Sequence, residues 1–537
     1  MWEQEYIPLG DSLVFSALAA AIPIFVLLVL IGILRKPSWI AGLSGLMTAI
    51  LMALIVYGMP LAQVLSSVSM GAAFGLFPIG WIVFWAVVLY RITVDTGNFA
   101  IIKDSIGGLT ADRRIQAMLI AFALGAFIEG AAGFGTPVAV AAAMLTGLGF
   151  SPFFAAAICL LANTAPVAFG SIGIPVITLA GITGIPDMEL STWVGRLCAP
   201  VALFIPAYLV LVMGGWKGLK GVMPAAVVCG ACFAGMQFFM SNYVGVELVD
   251  IVASLAAIIG LVILLKLWQP SDNFVWAGET QQTTMIISSH GFGRTLLAWS
   301  PYLFLVFFVL LWGSGVISEA LNSVTLVFQW PGLHNQIIQS APVVASPTPY
   351  AANYTLNWIS AGGSACGFAT VAAALIFRMS VKDYFSLLAA VLKQLSYSLV
   401  TIASVLGLAF LMNYSGATVT LGLAFAATGA LFPFFSALLG WLGVFLTGSD
   451  TSANALFGNL QVITANSLGL DPVLMASANS AGGVMGKMIS LQSLAVAVAA
   501  TGMSRSEEGK LFRFTIKHSV FLATVIGLLT MLYAYAF

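Results

Sequence analysis

The chain has 537 residues, of which 61% are hydrophobic and 7% charged, with a mean hydropathy of +1.05. Soluble globular chains carry about 25% charged residues, so this composition argues against a soluble enzyme, a fibrous protein or a disordered chain. Lys+Arg and Asp+Glu balance at 19 each, leaving no basic excess for nucleic acid; what remains is a polytopic membrane protein.

One crossing needs about 20 apolar residues. Apolar runs predict twelve spans, near 12–34, 38–58, 72–93, 152–183, 193–213, 222–240, 248–266, 299–317, 354–377, 385–412, 472–503 and 515–537. The first run has no basic residue before it and ends in Arg35-Lys36, the wrong flank order for a cleaved signal peptide. Two more apolar regions, near 115–149 and 432–468, are interrupted midway by glycines and polar residues. Each is long enough for two half-helices and is expected to form a re-entrant hairpin. Basic residues support this topology. With both termini outside and each hairpin entering and leaving on one face, 17 of the 19 Lys and Arg fall at or near the inner face, Arg196 and Lys487 being the exceptions. Asp187, Glu189, Glu247, Asp250 and Glu319 fall in outer loops. The longest polar loops are 267–298 and 318–353; the second, rich in Ser, Pro, Asn and Tyr, is expected to form a small outer cap.

The interrupted regions resemble each other. GAFIEGAAGFGTPVAVAAAMLTGLGFSP (125–152) matches GVFLTGSDTSANALFGNLQVITANSLGLDP (443–472), and CLLANTAPVAFGSIGIP (159–175) matches ASANSAGGVMGKMISLQ (476–492). Upstream, Thr96-Gly97 corresponds to Ser415-Gly416. Seven crossings separate the two starts, and an odd number inverts the second copy. The expected organisation is a first inverted repeat over 1–213, two linking helices and a cytoplasmic loop over 214–298, and a second inverted repeat over 299–537. Inverted repeats with broken helices are a pattern of secondary transporters, whose sites lie between the repeats near the midplane.

Breaks are expected at Glu129–Pro137, Ala162–Pro166, Thr447–Asn454 and Ala478–Gly483. A break frees N–H groups at one half-helix and C=O groups at the other, tolerable in hydrocarbon only beside a wet cavity or ligand. Free N–H groups and the positive dipole end favour an anion. Gly133, Gly135, Thr136, Asn163, Thr164, Ala165, Ser449, Thr451, Ser452, Asn454, Asn479 and Ser480 are the candidate binding residues there. Neutral donors at helix N-termini suit a small carboxylate better than a sugar, which would want aromatic faces. The competing reading is that glycines and small hydroxyl residues simply let helices pack closely.

Charged residues inside a membrane are expensive and are functional candidates by default. Asp450 and Glu129 are the candidate proton carriers, against a purely structural role in capping exposed half-helix N-termini. Lys487, in place of the equivalent Ser171, is a candidate partner for Asp450 or for a substrate anion. Arg196 is expected to snorkel to the interface. Cys159, Cys198, Cys229, Cys232 and Cys366 all lie in apolar stretches and are expected to pack. His290, His334 and His518 cluster neither with each other nor with acids, so no metal site or nucleophile–base pair is expected, and no cofactor. The glycine-rich 130–135 tip follows no strand and lacks the GK[ST] of a phosphate loop.

GAFIEGAAGFGTPVAVAAA followed by NTAPVAFGSIGIP, with the N-terminal MWEQEYIPLGDSLVFSALAA, resembles the bacterial lactate permease family over essentially the whole chain. The resemblance implies proton-coupled uptake of lactate or glycolate across the bacterial inner membrane. It also implies an elevator-like arrangement in which a transport domain with two hairpins slides against a scaffold, with Ser/Asn/Thr clusters at the breaks holding substrate. The clusters at 162–164, 452–454 and 478–480 depart from a strict Ser-Asn-Thr. The expected fold is therefore all-α with about twelve spans and two hairpins. The expected partners are a small monocarboxylate and the lipid bilayer. A sodium-coupled symporter and a passive anion channel are the rival readings.

Overall fold

Long apolar runs have one economical conformation in lipid, the helix, because it satisfies its own backbone. The structure, a computed structural model, describes all residues except 134–135, 272–289, 314, 345, 505–506 and 537. Eleven described helices are long and apolar enough to cross a membrane, or thirteen if each of two bent pairs is one span. Two of those thirteen, Arg113–Ala131 and Ala417–Thr447, contain hairpin arms, and the shorter apolar helix Gly362–Ile376 completes the expected twelve.

Several boundaries differ from expectation. The span expected at 72–93 is a 35-residue segment, Leu61–Asp95. Its serine-rich start reads as polar in sequence, yet Ser67 Oγ donates to the Gln63 carbonyl (2.8 Å) and Ser69 Oγ to that of Ser66 (2.9 Å). These bonds satisfy the hydroxyls within the helix. The span expected at 354–377 starts only at Gly362, because Asn353–Leu356 is a strand paired antiparallel with Leu326–Gln329. These strands belong to the expected cap. Its second sheet joins Ile337–Gln339 to Thr348–Pro349 and, in parallel, to the N-terminal Trp2–Glu3. Gln4 reinforces the tie by donating to the carbonyls of Asn413 and Tyr414. His290, expected to stand apart from acids, lies 3.0 Å from Asp104.

Both interrupted regions are helix–turn–helix hairpins with antiparallel arms. In the first, Arg113–Ala131 and Thr136–Gly147 flank the tip. Its open end is tied by Arg113 Nη1, which donates to the Leu148 carbonyl (2.6 Å) and stacks over Phe150. In the second, Phe432–Thr447 and Asp450–Leu468 flank Gly448 and Ser449. Gln461 of the return arm donates to the Ser436 carbonyl of the outgoing arm (3.1 Å). A bent helix follows each hairpin: Pro152–Ala162 with Val167–Thr183 at 63°, and Pro472–Ile489 with Leu491–Thr501 at 41°. Proline at the first helical position and a capping Ser151 or Asp471 start both, positions where ring and cap suit a helix start.

Two separate apolar cores result. The larger gathers both bent helices, the first hairpin and the helices between 187 and 267. The smaller joins Leu13–Gly32, Ser38–Ile55, the second half of Val381–Ser415, the cap and part of the second hairpin's return arm.

Candidate functional site

A cavity of about 140 Å³ opens on the seam between these cores, roughly ten times the ~15 Å³ that one water requires on this measure. From the larger core it is lined by Glu129, Gly170, Ser171, Lys487 and Gln492. The tip of the second hairpin supplies Thr447 to Ser452. The opposite wall is Leu27, Ile31 and Ser38 with Ser398, Thr401, Ile402 and Val405.

The local backbone explains why these groups converge. Gly448 adopts φ 72°, which a residue with Cβ rarely does, and turns the chain so that Ser449 caps the return helix by accepting from Ser452 N. The N-terminal end of Asp450–Leu468 therefore faces the cavity. In the first bent helix Ser171, Ile172 and Gly173 are all left-handed, at φ 47°, 60° and 76°. For a β-branched residue such as Ile172 this is costly, and it brings Gly170 and Ser171 to the cavity wall. Glu129 lies on Gly170, where an added Cβ would stand 2.8 Å from Oε1.

Asp450 is buried. Its Oδ2 accepts from Ser480 Oγ (2.6 Å) and Asn454 Nδ2 (3.3 Å), while Oδ1 has no partner among the described residues. Asn454 also donates to the Pro175 carbonyl and accepts from Asn479 Nδ2 (2.9 Å). Gln461 donates to Asn479 Oδ1 (3.0 Å). This network binds the second hairpin to both bent helices. Lys487 Nζ donates to the Gly448 carbonyl (2.7 Å) instead of pairing directly with Asp450, and acts on both Asp450 and Glu129 through space.

The structure thus sorts the sequence candidates. Ser449, Asp450, Thr451, Ser452, Glu129 and Lys487 line the cavity. Asn454, Asn479 and Ser480 stand behind it in the Asp450 network. Gly133 packs against Ser171, and Thr136 begins the return arm of the first hairpin. Gly135 lies outside the described residues. Thr164 bonds back to the Leu161 carbonyl, and the Ala165 carbonyl accepts from Gln237 (3.1 Å). Asn163 is buried beside Glu129, with neither amide atom within hydrogen-bond geometry of a described residue. Arg196 sits over Trp193 and bonds Asn242.

Two expectations are corrected. Residues 478–483 are unbroken helix within Pro472–Gly486, and the break falls later, at Lys487–Ser490. The small residues there serve close approach: an added Cβ on Gly440 would collide with the Asn479 carbonyl, and one on Gly482 with that of Ala437. Asp250, expected in an outer loop, is buried in the first turn of Val249–Leu267, packed on Gly130. With Gln237, which donates to the Ala165 carbonyl, it packs the expected linking helices against the first hairpin and the first bent helix. Gln237 was signalled by its isolation in an apolar run; Asp250 was masked by the polar residues before it.

Apolar helices built around a cavity of broken-helix ends define a multi-pass membrane protein with a buried polar site. Residues 16–537 match the family model described as L-lactate permease. The chain belongs to the L-lactate permease family, whose members are transporters rather than enzymes. It is 45% identical to an L-lactate permease of Bacillus subtilis, covering 100% of this chain and 99% of the relative. It is 44% identical to the glycolate permease GlcA of Escherichia coli (100% and 98%), and 42% identical to an L-lactate permease of that organism (100% and 98%). Among solved structures, MtrF of Neisseria gonorrhoeae aligns at TM-score 0.46 and 14% identity, over 87% of this chain and 83% of that one.

Proposed function

We propose that this chain carries lactate and related 2-hydroxy monocarboxylates such as glycolate across the bacterial cytoplasmic membrane together with a proton. The observation that carries this reading is the cavity: it pairs Lys487 and a helix N-terminus with two acids, Glu129 and Asp450. The ammonium and the free N–H groups suit a carboxylate. Ser171, Ser449, Thr451, Ser452 and Gln492 offer hydrogen bonds to the carboxylate and the 2-hydroxyl. Leu27, Ile31, Ile402 and Val405 offer an apolar wall for a methyl group. The names of the relatives support the same substrate class.

Asp450 is the principal proton carrier in this reading and Glu129 the second. Protonation removes one negative charge just as the substrate anion brings one in, so the loaded site gains no net charge and can move through lipid at lower cost. The seam between the two apolar cores is where movement occurs: hairpins and bent helices slide against the helices Leu13–Gly32, Ser38–Ile55 and Val381–Ser415. The cap end, which holds the N-terminus, faces outward, consistent with the basic residues at the opposite end.

Purified protein in proteoliposomes tests this. Labelled L-lactate is expected to accumulate when the outside is acid and sodium is absent. Uptake that demands sodium would replace the proton with that ion. Absence of trans-stimulated exchange would replace the carrier with a channel.

A further inference from the structure

Among the described residues, five buried polar atoms without a hydrogen-bond partner lie beside the first hairpin tip: Glu129 Oε2, Asn163 Oδ1 and Nδ2, and both oxygens of Asp250. Asp250 is 1% exposed and Glu129 and Asn163 4% each. Leaving such groups unpaired costs about 1–3 kcal/mol apiece, more when charged, and native chains leave few of them. Their arrangement is set by backbone contact. Gly130 lets Val249–Leu267 approach so closely that an added Cβ would stand 2.8 Å from Asp250 Cβ. That contact places Asp250 directly behind Glu129, and the two acids act on each other through space.

Charge balance decides what these atoms do. Around the cavity three acids, Glu129, Asp250 and Asp450, are buried with one cation, Lys487. Lys487, bonded to the Gly448 carbonyl, acts on Glu129 and Asp450 only through space. Two unbonded carboxylates at close quarters do not both ionise, and they titrate as a pair. Glu129 of the first hairpin acts on Asp250 through space, and Asp250 in turn acts on the Cys198 thiol of Asp187–Gly221. The helices Met223–Tyr243 and Gly170–Thr183, which also pack on Val249–Leu267, carry no charged residue. Position supplies direction. Asp250 lies at the cap end, three residues beyond Glu247, and Glu247 packs on Gly362 just after the cap strands. Glu129 lines the cavity and Asp250 does not.

We infer that Asp250 and Glu129 form a carboxyl relay that passes the symported proton from the cap end of the protein to the cavity. The Asp250 carboxylic acid gives its proton to the Glu129 carboxylate through water bridging their unpaired oxygens. The Asp250 carboxylate left behind is reprotonated from water at the cap end, and Glu129 releases the proton to the substrate site. No bond but O–H is made or broken. Asp250 is a positioning and relay residue, since it acts on substrate only through Glu129. The inference rests on the proton-coupled reading above and extends it by a route.

Initial rates and final levels of lactate uptake in proteoliposomes, driven by an acid exterior, test the relay. A relay sets rate and not equilibrium. D250N is therefore expected to cut the initial rate at least tenfold and flatten its dependence on external pH, while the final accumulation ratio matches that of the unaltered chain. Infrared spectra of the unaltered protein are expected to show a protonated-carboxyl carbonyl band that D250N removes. Unaltered rate and pH profile in D250N, or no such band in the unaltered protein, overturns the relay with proton coupling still standing. Sodium-dependent uptake by the unaltered chain overturns the coupling itself and assigns the unpaired oxygens to a cation.

Discussion

Replacing Asp450 with asparagine separates binding from coupling, because the amide occupies nearly the same space. The new Oδ1 can accept from Ser480 and Asn454 as Asp450 Oδ2 does, at 2.6 and 3.3 Å. Each bond then drops from a charged to a neutral one, a difference of about 1 kcal/mol. The fold is thus expected to lose at most about 2 kcal/mol, and less if the acid already holds a proton. The functional change is far larger. One proton per lactate converts each pH unit of gradient into 1.36 kcal/mol, a tenfold accumulation. Acid outside drives uptake, and acid inside drives efflux. Asp450→Asn has no titrating group at this position, so the internal-to-external lactate ratio is expected to fall from about ten per pH unit to one. Radiolabelled lactate in proteoliposomes, with the pH step imposed by dilution, measures this directly. A mutant that still concentrates lactate about tenfold per pH unit would refute Asp450 as the carrier.

Asn479→Ala removes bonds to Asn454 and Gln461 and leaves Asn454 Oδ1 buried without its donor, while Gln461 keeps its bond to Ser436, so it is expected to destabilise the protein by about 1–3 kcal/mol in a thermal melt. Asn163→Ala strands no partner and is expected to change stability by under about 1 kcal/mol. Lys487→Met is expected to weaken lactate binding at least tenfold, about 1.4 kcal/mol, in equilibrium binding with labelled substrate; unchanged affinity would place the anion elsewhere. Gly440→Ala drives a methyl into the Asn479 carbonyl and is expected to cost about 1–3 kcal/mol, read as a lower melting temperature.

What the sequence makes legible follows from the physics of each signal. Long apolar runs specify helices because lipid permits little else, so the spans and both hairpins were readable. The tip at Gly448-Ser449-Asp450 was readable too, since glycine, a capping serine and an acid together are hard to place inside an unbroken membrane helix. The second break was misplaced because Ala478–Gly483 has two physical uses. Small residues permit unwinding, and they equally permit two helices to touch, as at Gly482 against Ala437. Only the neighbouring helix Phe432–Thr447 decides between these uses, and sequence order does not reveal that it lies alongside.

Asp250 shows the opposite ambiguity. In V-E-L-V-D an acid at the start of an apolar run reads as the solvated end of a span. It is buried because Gly130, 120 positions earlier in the sequence, lets the first hairpin tip press on that turn. A charged residue at a helix end can therefore be an interfacial anchor or a site group, and the residue opposite it decides which. Here the opposite residue is a glycine, and its neighbour Glu129 is an acid that lines the cavity and whose Oε2 has no partner among the described residues. The same glycine that marked the hairpin as a break also places the two acids side by side, so Gly130 links the fold to the chemistry more tightly than any of the hydroxyl residues around it.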